Sequence, residues 1–161
     1  MHQWIAHRAL ATRMARQAAL AGLLLATTLA ASAQTSTPVG VWQTIDDHTG
    51  QPKALVQIVE DGDGTLSGKV IKGLNPDEQP GRRCTACTGA RKDQPIVGMT
   101  IIDGMKKTDD GWDGGHILDP ENGKTYRCKM HVEDGGRKLV VRGYIGVSLL
   151  GRSQTWNRQT Q

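Results

Sequence analysis

Residues 111–145 read GWDGGHILDPENGKTYRCKMHVEDGGRKLVVRGYI. In the run 125–132, TYRCKMHV, Tyr126, Cys128, Met130 and Val132 fall on one side, and Arg127, Lys129 and His131 on the other. A repeat of two is the signature of a half-buried strand, because successive side chains point to opposite faces. GGHIL (114–118) and KLVVRGYI (138–145) read as neighbouring strands. The joints between them, DPENGK and EDGGR, hold the Asn-Gly and Gly-Gly pairs that tight hairpins need for positive φ.

The same grammar extends outward in both directions. Strands are predicted at 39–45 (VGVWQTI), 54–60 (ALVQIVE), 65–72 (TLSGKVIK), 96–102 (IVGMTII) and 151–158 (GRSQTWNR), with EDGDG and TDDGWDGG as further turns. No segment after residue 34 keeps helical periodicity over ten residues. Short joints make sequential strands antiparallel neighbours. The expected fold is all-β: a single antiparallel up-and-down barrel of about eight strands, closed because closure removes exposed edges. A barrel of that size holds packed side chains or one small ligand. The expected inner wall is aliphatic: Leu55 or Val56, Ile58, Val70, Ile101, Ile117, Met130, Leu139 and Val141.

The first residues differ in kind. Arg8, Arg13 and Arg16 precede the apolar run AALAGLLLATTLAA, which ends in Ala31-Ser32-Ala33. A basic start, an apolar middle and a small-x-small end describe a secretory signal peptide. The expected organisation is a cleaved leader over 1–33, a short segment over 34–38 and a barrel domain over 39–158. The expected location is the periplasm or beyond, with no stable membrane anchor after cleavage. The formal charge of +4 comes largely from the leader: without its three arginines, 17 basic residues face 16 acidic ones. These are interspersed, so nothing suggests a nucleic-acid surface. No feature specifies an oligomeric state.

The one long connection, about 73–95, carries Cys84-Thr-Ala-Cys87; the third cysteine is Cys128. In an oxidising compartment these are disulfide candidates: Cys84 with Cys87 as a local clip, or either with Cys128 to pin the loop to the wall. Cys128 is alternatively a buried free thiol. Cys84-x-x-Cys87 with Cys128-x-x-His131 also supplies the ligand inventory of a structural zinc site. Period two, however, sends Cys128 and His131 to opposite faces. No metal or other cofactor is expected. A catalytic thiol is the lesser reading, since the pair sits among glycine and proline rather than at a helix start. No hydrolytic constellation is visible: the histidines after residue 34 are His48, His116 and His131, and Asp119 to Gly123 reads as a turn. No catalytic residue is assigned. In an up-and-down barrel the first and last strands touch, so Gly40, Trp42 and Arg158 are read as closure residues, with the guanidinium laid across the indole.

The segments GVWQTIDDHTGQPKALVQI, CTAC, PIVGMTII, GGHILDPENGKTYRCKM and VRGYIGVSLLGRSQTWNR resemble the bacterial secreted domain-of-unknown-function family 2147, from about Val39 to Arg158. The resemblance implies an exported domain with a lipocalin-like, fatty-acid-binding-like barrel, and Gly40-x-Trp42 resembles the lipocalin opening signature. By fold analogy it implies binding of a small hydrophobic or amphipathic molecule without catalysis. The residues expected to meet that ligand are Met130 and Val141, with Tyr126 or Tyr144 as polar handle; GYIGVSLLG is read either as part of a pocket mouth or as a packed sheet. The rival readings are a thiol- or zinc-dependent envelope protein acting through Cys84 and Cys87, and a structural envelope protein with no ligand.

Overall fold

The computed structural model describes residues 37–75 and 81–160; the proposed leader lies outside them. Eight strands follow in order: β1 (Gly40–Ile45), β2 (Pro52–Glu60), β3 (Leu66–Gly73), β4 (Thr100–Thr108), β5 (Gly111–Asp119), β6 (Lys124–Glu133), β7 (Lys138–Tyr144) and β8 (Arg152–Gln159). Each pairs antiparallel with the next, and β1 pairs with β8, so the sheet closes as an up-and-down barrel. It closes without any residue before Thr37. The β1–β2, β3–β4, β5–β6 and β7–β8 connections gather at one end, here called the mouth; the β2–β3, β4–β5 and β6–β7 turns form the base.

The register decides what faces inward. Ile58 lies opposite Gly68, Gly68 opposite Ile102, and Ile102 opposite Ile117. Across the other half, Val132 faces Leu139 and Leu139 faces Trp156. The base half of the interior is filled by Trp42, Ile58, Leu66, Met105, Met130, Leu139 and Trp156, all buried. Gly115 shows why glycine is needed in this wall: a Cβ there would run into the Asp103 carbonyl and the Met105 sulfur. It follows a register shift in β5 where Gly114 has φ 79°, the geometry of a β-bulge.

Two strand boundaries differ from expectation. β4 begins at Thr100 and runs to Thr108, not over 96–102. Ile96–Met99 form a turn closed by Met99 N–H on the Ile96 carbonyl, with Gly98 at φ 93°. β5 begins at Gly111, so Trp112 and Asp113 belong to a strand and the β4–β5 joint is only Asp109-Asp110.

The inner wall needs one correction as well. Ile102, not Ile101, faces inward; on β2 it is Val56 rather than Leu55. Ile101 lies on the outer face, one step along the register from the Ile102–Ile117 pair, beside Leu118. Both are buried because the long loop covers them. Cys84 and Cys87 form a disulfide there, and they join Met99, Ile101 and Leu118 in the core cluster. The loop is tied down by the Arg83–Pro95 bridge, by Ile96 N–H on the Arg82 carbonyl, and by Gly98 N–H on the Val70 carbonyl. The Cys84 sulfur lies 3.3 Å from the Pro120 carbonyl, a sulfur–oxygen contact, since a disulfide has no proton to donate. Gly123, at φ 70°, leaves room for the Ala86–Cys87 backbone where any side chain would collide. The loop is thus a small second core on the outside of β4 and β5.

Candidate functional site

The base of the barrel is sealed around Trp42. Its indole N–H donates to the Pro38 carbonyl at 2.6 Å, and the Arg158 guanidinium lies 4.1 Å from the ring centroid. Arg158 also donates to the carbonyls of Val39 (2.9 Å), Thr37 (2.6 Å) and Gly136. One side chain therefore ties the entering chain, the β6–β7 turn and the last strand together. Partial burial lowers its pKa, but a guanidinium stays charged at any physiological pH. Gly40 is the third member: at φ 138°, a Cβ there would stand 2.5 Å from Arg158 Nη1.

At the mouth the interior changes character. The inward positions Ala54, Ile117, Tyr126, Gly143 and Gln154 are half-buried, whereas Trp42, Ile58, Leu66, Met105, Leu139 and Trp156 nearer the base are buried, with Trp112 and Val132 half-buried at the base rim. Between mouth and base three small residues, Gly115, Cys128 and Gly143, stand side by side on three strands. Tyr126 and Ile117 flank Gly143; a Cβ there would lie 3.5 Å from Tyr126 Cβ and 3.4 Å from Ile117 Cγ2. Below them, Met130 and Val141 face each other across β6 and β7. Thus Tyr126, Met130 and Val141 share the interior face.

Tyr144 does not join them. It pairs with Arg127 on the outer face, whose guanidinium lies 5.3 Å from its ring centroid. Its hydroxyl donates to Asp113 Oδ1 at 3.3 Å; burial, then the Asp113 charge, raise its pKa.

Polar groups ring the recess. The Tyr126 hydroxyl accepts from Asn122 Nδ2 at 3.1 Å. Gln154 accepts from the Trp156 indole N–H at 3.1 Å, and its amide donates to Asp47, which also pairs with Arg152. The buried Thr44 hydroxyl is satisfied by exchange with the Ala54 backbone. Arg152 and Gln154 carry no sequence signal of their own; they become site residues only because β8 closes against β7.

The cysteines are kept apart by the wall. Cys84 and Cys87 are bonded to each other outside it. Cys128 is a free thiol inside it, and burial, then the Asp113 and Asp103 charges, push its pKa up to about 12. His131 points outward and contacts Glu133 at 2.9 Å. The C-x-x-C and C-x-x-H pairs therefore do not converge, and among the described residues no group of three or more His, Cys, Asp or Glu side chains is placed to hold a metal. No helix among them is long and apolar enough to cross a membrane.

The barrel is similar to a solved structure described as protein HP1028 from the human pathogen Helicobacter pylori, which belongs to the lipocalin family; the TM-score is 0.67 at 19% identity, covering 78% of this chain and 85% of that one. At that identity the likeness establishes a shared lipocalin-like fold. Comparison with curated protein sequences finds no match. The profile of DUF2147, described as an uncharacterized protein conserved in bacteria, matches residues 40–158, and the chain belongs to that family.

Proposed function

We propose that the protein is an exported, non-enzymatic carrier that holds one small amphipathic molecule in the mouth half of its barrel. The observation that carries this reading is the difference along the inner wall: Trp42, Ile58, Leu139 and Trp156 are buried toward the base, while Ile117, Tyr126, Gly143 and Gln154 are half-buried at the mouth. The apolar part of the ligand would lie against Ala54, Ile117 and the Tyr126 ring, above the buried Cys128, Val141 and Met130. Its polar end would meet the Tyr126 hydroxyl and the Gln154–Arg152 rim. Such a site, mostly apolar with a few convergent polar groups, is what small-molecule pockets share. The lipocalin-like fold supports the same reading by analogy. Export is supported by the leader pattern in the sequence and by the disulfide.

Cys128 offers a direct test, being the free thiol of this interior. Chains of residues 34–161, purified from an exporting host, are extracted with solvent and titrated with a fluorescent fatty acid while Cys128 alkylation is timed. The reading expects a saturable 1:1 site, slower alkylation when it is filled, and loss of both effects in Gly143→Leu, whose side chain would occupy the space between Ile117 and Tyr126. No saturation, or equal saturation in that variant, overturns it.

A further inference from the structure

Among the described residues seven large apolar side chains are notably exposed, and four of them lie within six consecutive positions of the β7–β8 loop: Ile145 (66%), Val147 (61%), Leu149 (85%) and Leu150 (80%). Single exposed aliphatics mean nothing, but a contiguous cluster marks a surface that meets something. This one is also held in place. Arg142 donates from Nε to the Ser148 carbonyl (2.8 Å), from Nη2 to the Leu149 carbonyl (3.1 Å) and from Nη1 to Ser153 Oγ (2.8 Å). Leu150 N–H and Gly151 N–H close the turn on the Val147 and Ser148 carbonyls. Gly151 lies so close to the Gly143 carbonyl and Tyr144 Cβ that a Cβ would stand 2.7 Å from each. A guanidinium fork and a packed glycine thus hold four aliphatic side chains out in water.

The composition of the cluster indicates its partner. It has no aromatic residue, whereas the anchors of protein interfaces are chiefly Trp, Tyr and Arg seated in fitted pockets. Its borders are cationic: Arg142 beneath it, Arg152 immediately after it, Arg127 on the neighbouring strand and Lys124 at the adjacent hairpin. Asp47 pairs with Arg152 and Asp119 lies opposite Lys124, so the border is mixed with cations in excess. Aliphatic prongs framed by Lys and Arg match the boundary between acyl chains and anionic headgroups.

We propose that residues 145–150 are a docking loop for an anionic bilayer surface: Ile145, Val147, Leu149 and Leu150 enter the acyl boundary while Arg127 and Lys124 meet the headgroups. The loop borders the mouth, so docking turns the barrel opening toward the lipid. The inference does not depend on the ligand reading, since a barrel with an empty mouth would dock equally well.

The test is flotation of the 34–161 chain, whose barrel closes without earlier residues, with vesicles of phosphatidylglycerol and phosphatidylcholine in equal parts or of phosphatidylcholine alone. Binding is expected to the anionic vesicles, and to fall several-fold near 1 M salt, where the screening length drops to roughly 3 Å. The double variant Leu149→Ser, Leu150→Ser should lose at least about tenfold in partition at unchanged thermal stability, because both residues are solvent-exposed already. Leu149→Trp should give a blue-shifted emission on adding anionic vesicles. Failure of the native chain to float, or equal flotation of the double variant, overturns the proposal. So does a lipid-independent dimer that the double variant abolishes, which would make the loop a protein interface. Fatty-acid titration of the same double variant separates the two readings: it should bind as the native chain does.

Discussion

Replacing Arg158 tests the closure of the barrel base most sharply. Arg158→Ala removes three hydrogen bonds from a cation to the backbone carbonyls of Thr37, Val39 and Gly136, together with the guanidinium–indole contact to Trp42. A hydrogen bond to a charged group contributes about 1.5–3 kcal/mol when its partner is buried, and a cation–π contact about 0.5–2 kcal/mol. The site is only half-buried, so water can replace part of this, and contributions from one side chain are not additive. A loss of roughly 3–5 kcal/mol is expected. For a domain of this size each kcal/mol moves Tm by about 3–5 °C, so the melting midpoint should fall by roughly 10–20 °C in thermal unfolding followed by circular dichroism. Arg158→Lys keeps the charge above the indole but cannot span three carbonyls, so it should lie between the two. Gly40→Ala should behave like a partial loss of Arg158, because its methyl displaces Nη1 and its φ of 138° is strained for any side chain. Arg137→Ala is the control: that guanidinium pairs with Asp134 in full solvent, and exposed pairs matter little. If Arg158→Ala costs less than about 1 kcal/mol, or no more than Arg137→Ala, the base is not held by this side chain and the reasoning fails.

Three further outcomes follow from the geometry. Reducing Cys84–Cys87 should lower stability by only about 2 kcal/mol, because the bridge closes a four-residue loop; the barrel's far-ultraviolet spectrum should persist, and its loss would mean the outer loop helps hold the barrel closed. Gly115→Ala should destabilise by about 1–3 kcal/mol or more in chemical denaturation, since its methyl meets backbone as well as Met105; a neutral result would show that β4 and β5 can separate freely. Cys128 keeps its proton in the folded state up to about pH 12, whereas the unfolded thiol loses it near 9. Its contribution is therefore fully present below pH 9 and disappears as pH rises toward 12, by as much as about 4 kcal/mol. The stability difference between the native chain and Cys128→Ala should shrink over that range, and a constant difference would refute the assignment.

Much of the barrel was legible because period-two alternation and Asp-Gly, Asn-Gly and Gly-Gly joints are local signals. The TYRCKMHV strand shows this well: the side carrying Cys128 and Met130 is the one the barrel buries. The signal misled where the outer face is also covered. Ile96–Ile102 reads as a strand because its apolar residues serve two cores, with Ile102 inside and Met99 and Ile101 beneath the disulfide loop. Trp112 was hidden among turn residues because a bulge at Gly114 lets glycines stand inside β5.

The candidate site divides along the same line. Tyr126, Met130 and Val141 could be placed on one face from their own strands, given that Cys128 marks the inside. Tyr144 could have been set apart by the same rule: it stands three residues from Val141 on β7, so a period of two sends it to the outer face beside Arg127. Arg152 and Gln154 join the rim only through the pairing of β7 with β8. By itself the sequence determined the strand class, the meander order and the Gly40–Trp42–Arg158 closure, since these rest on side-chain period, turn chemistry and adjacency of the ends. Only the tertiary structure decided that Cys84 bonds Cys87 outside the wall while Cys128 stays alone within it, that inward residues such as Ile117, Tyr126 and Gln154 are only half-buried at the mouth, and that the 145–150 loop stands out in water. Each of these depends on which surfaces meet across the closed sheet, and contacts between residues far apart in the chain leave no periodic trace along it.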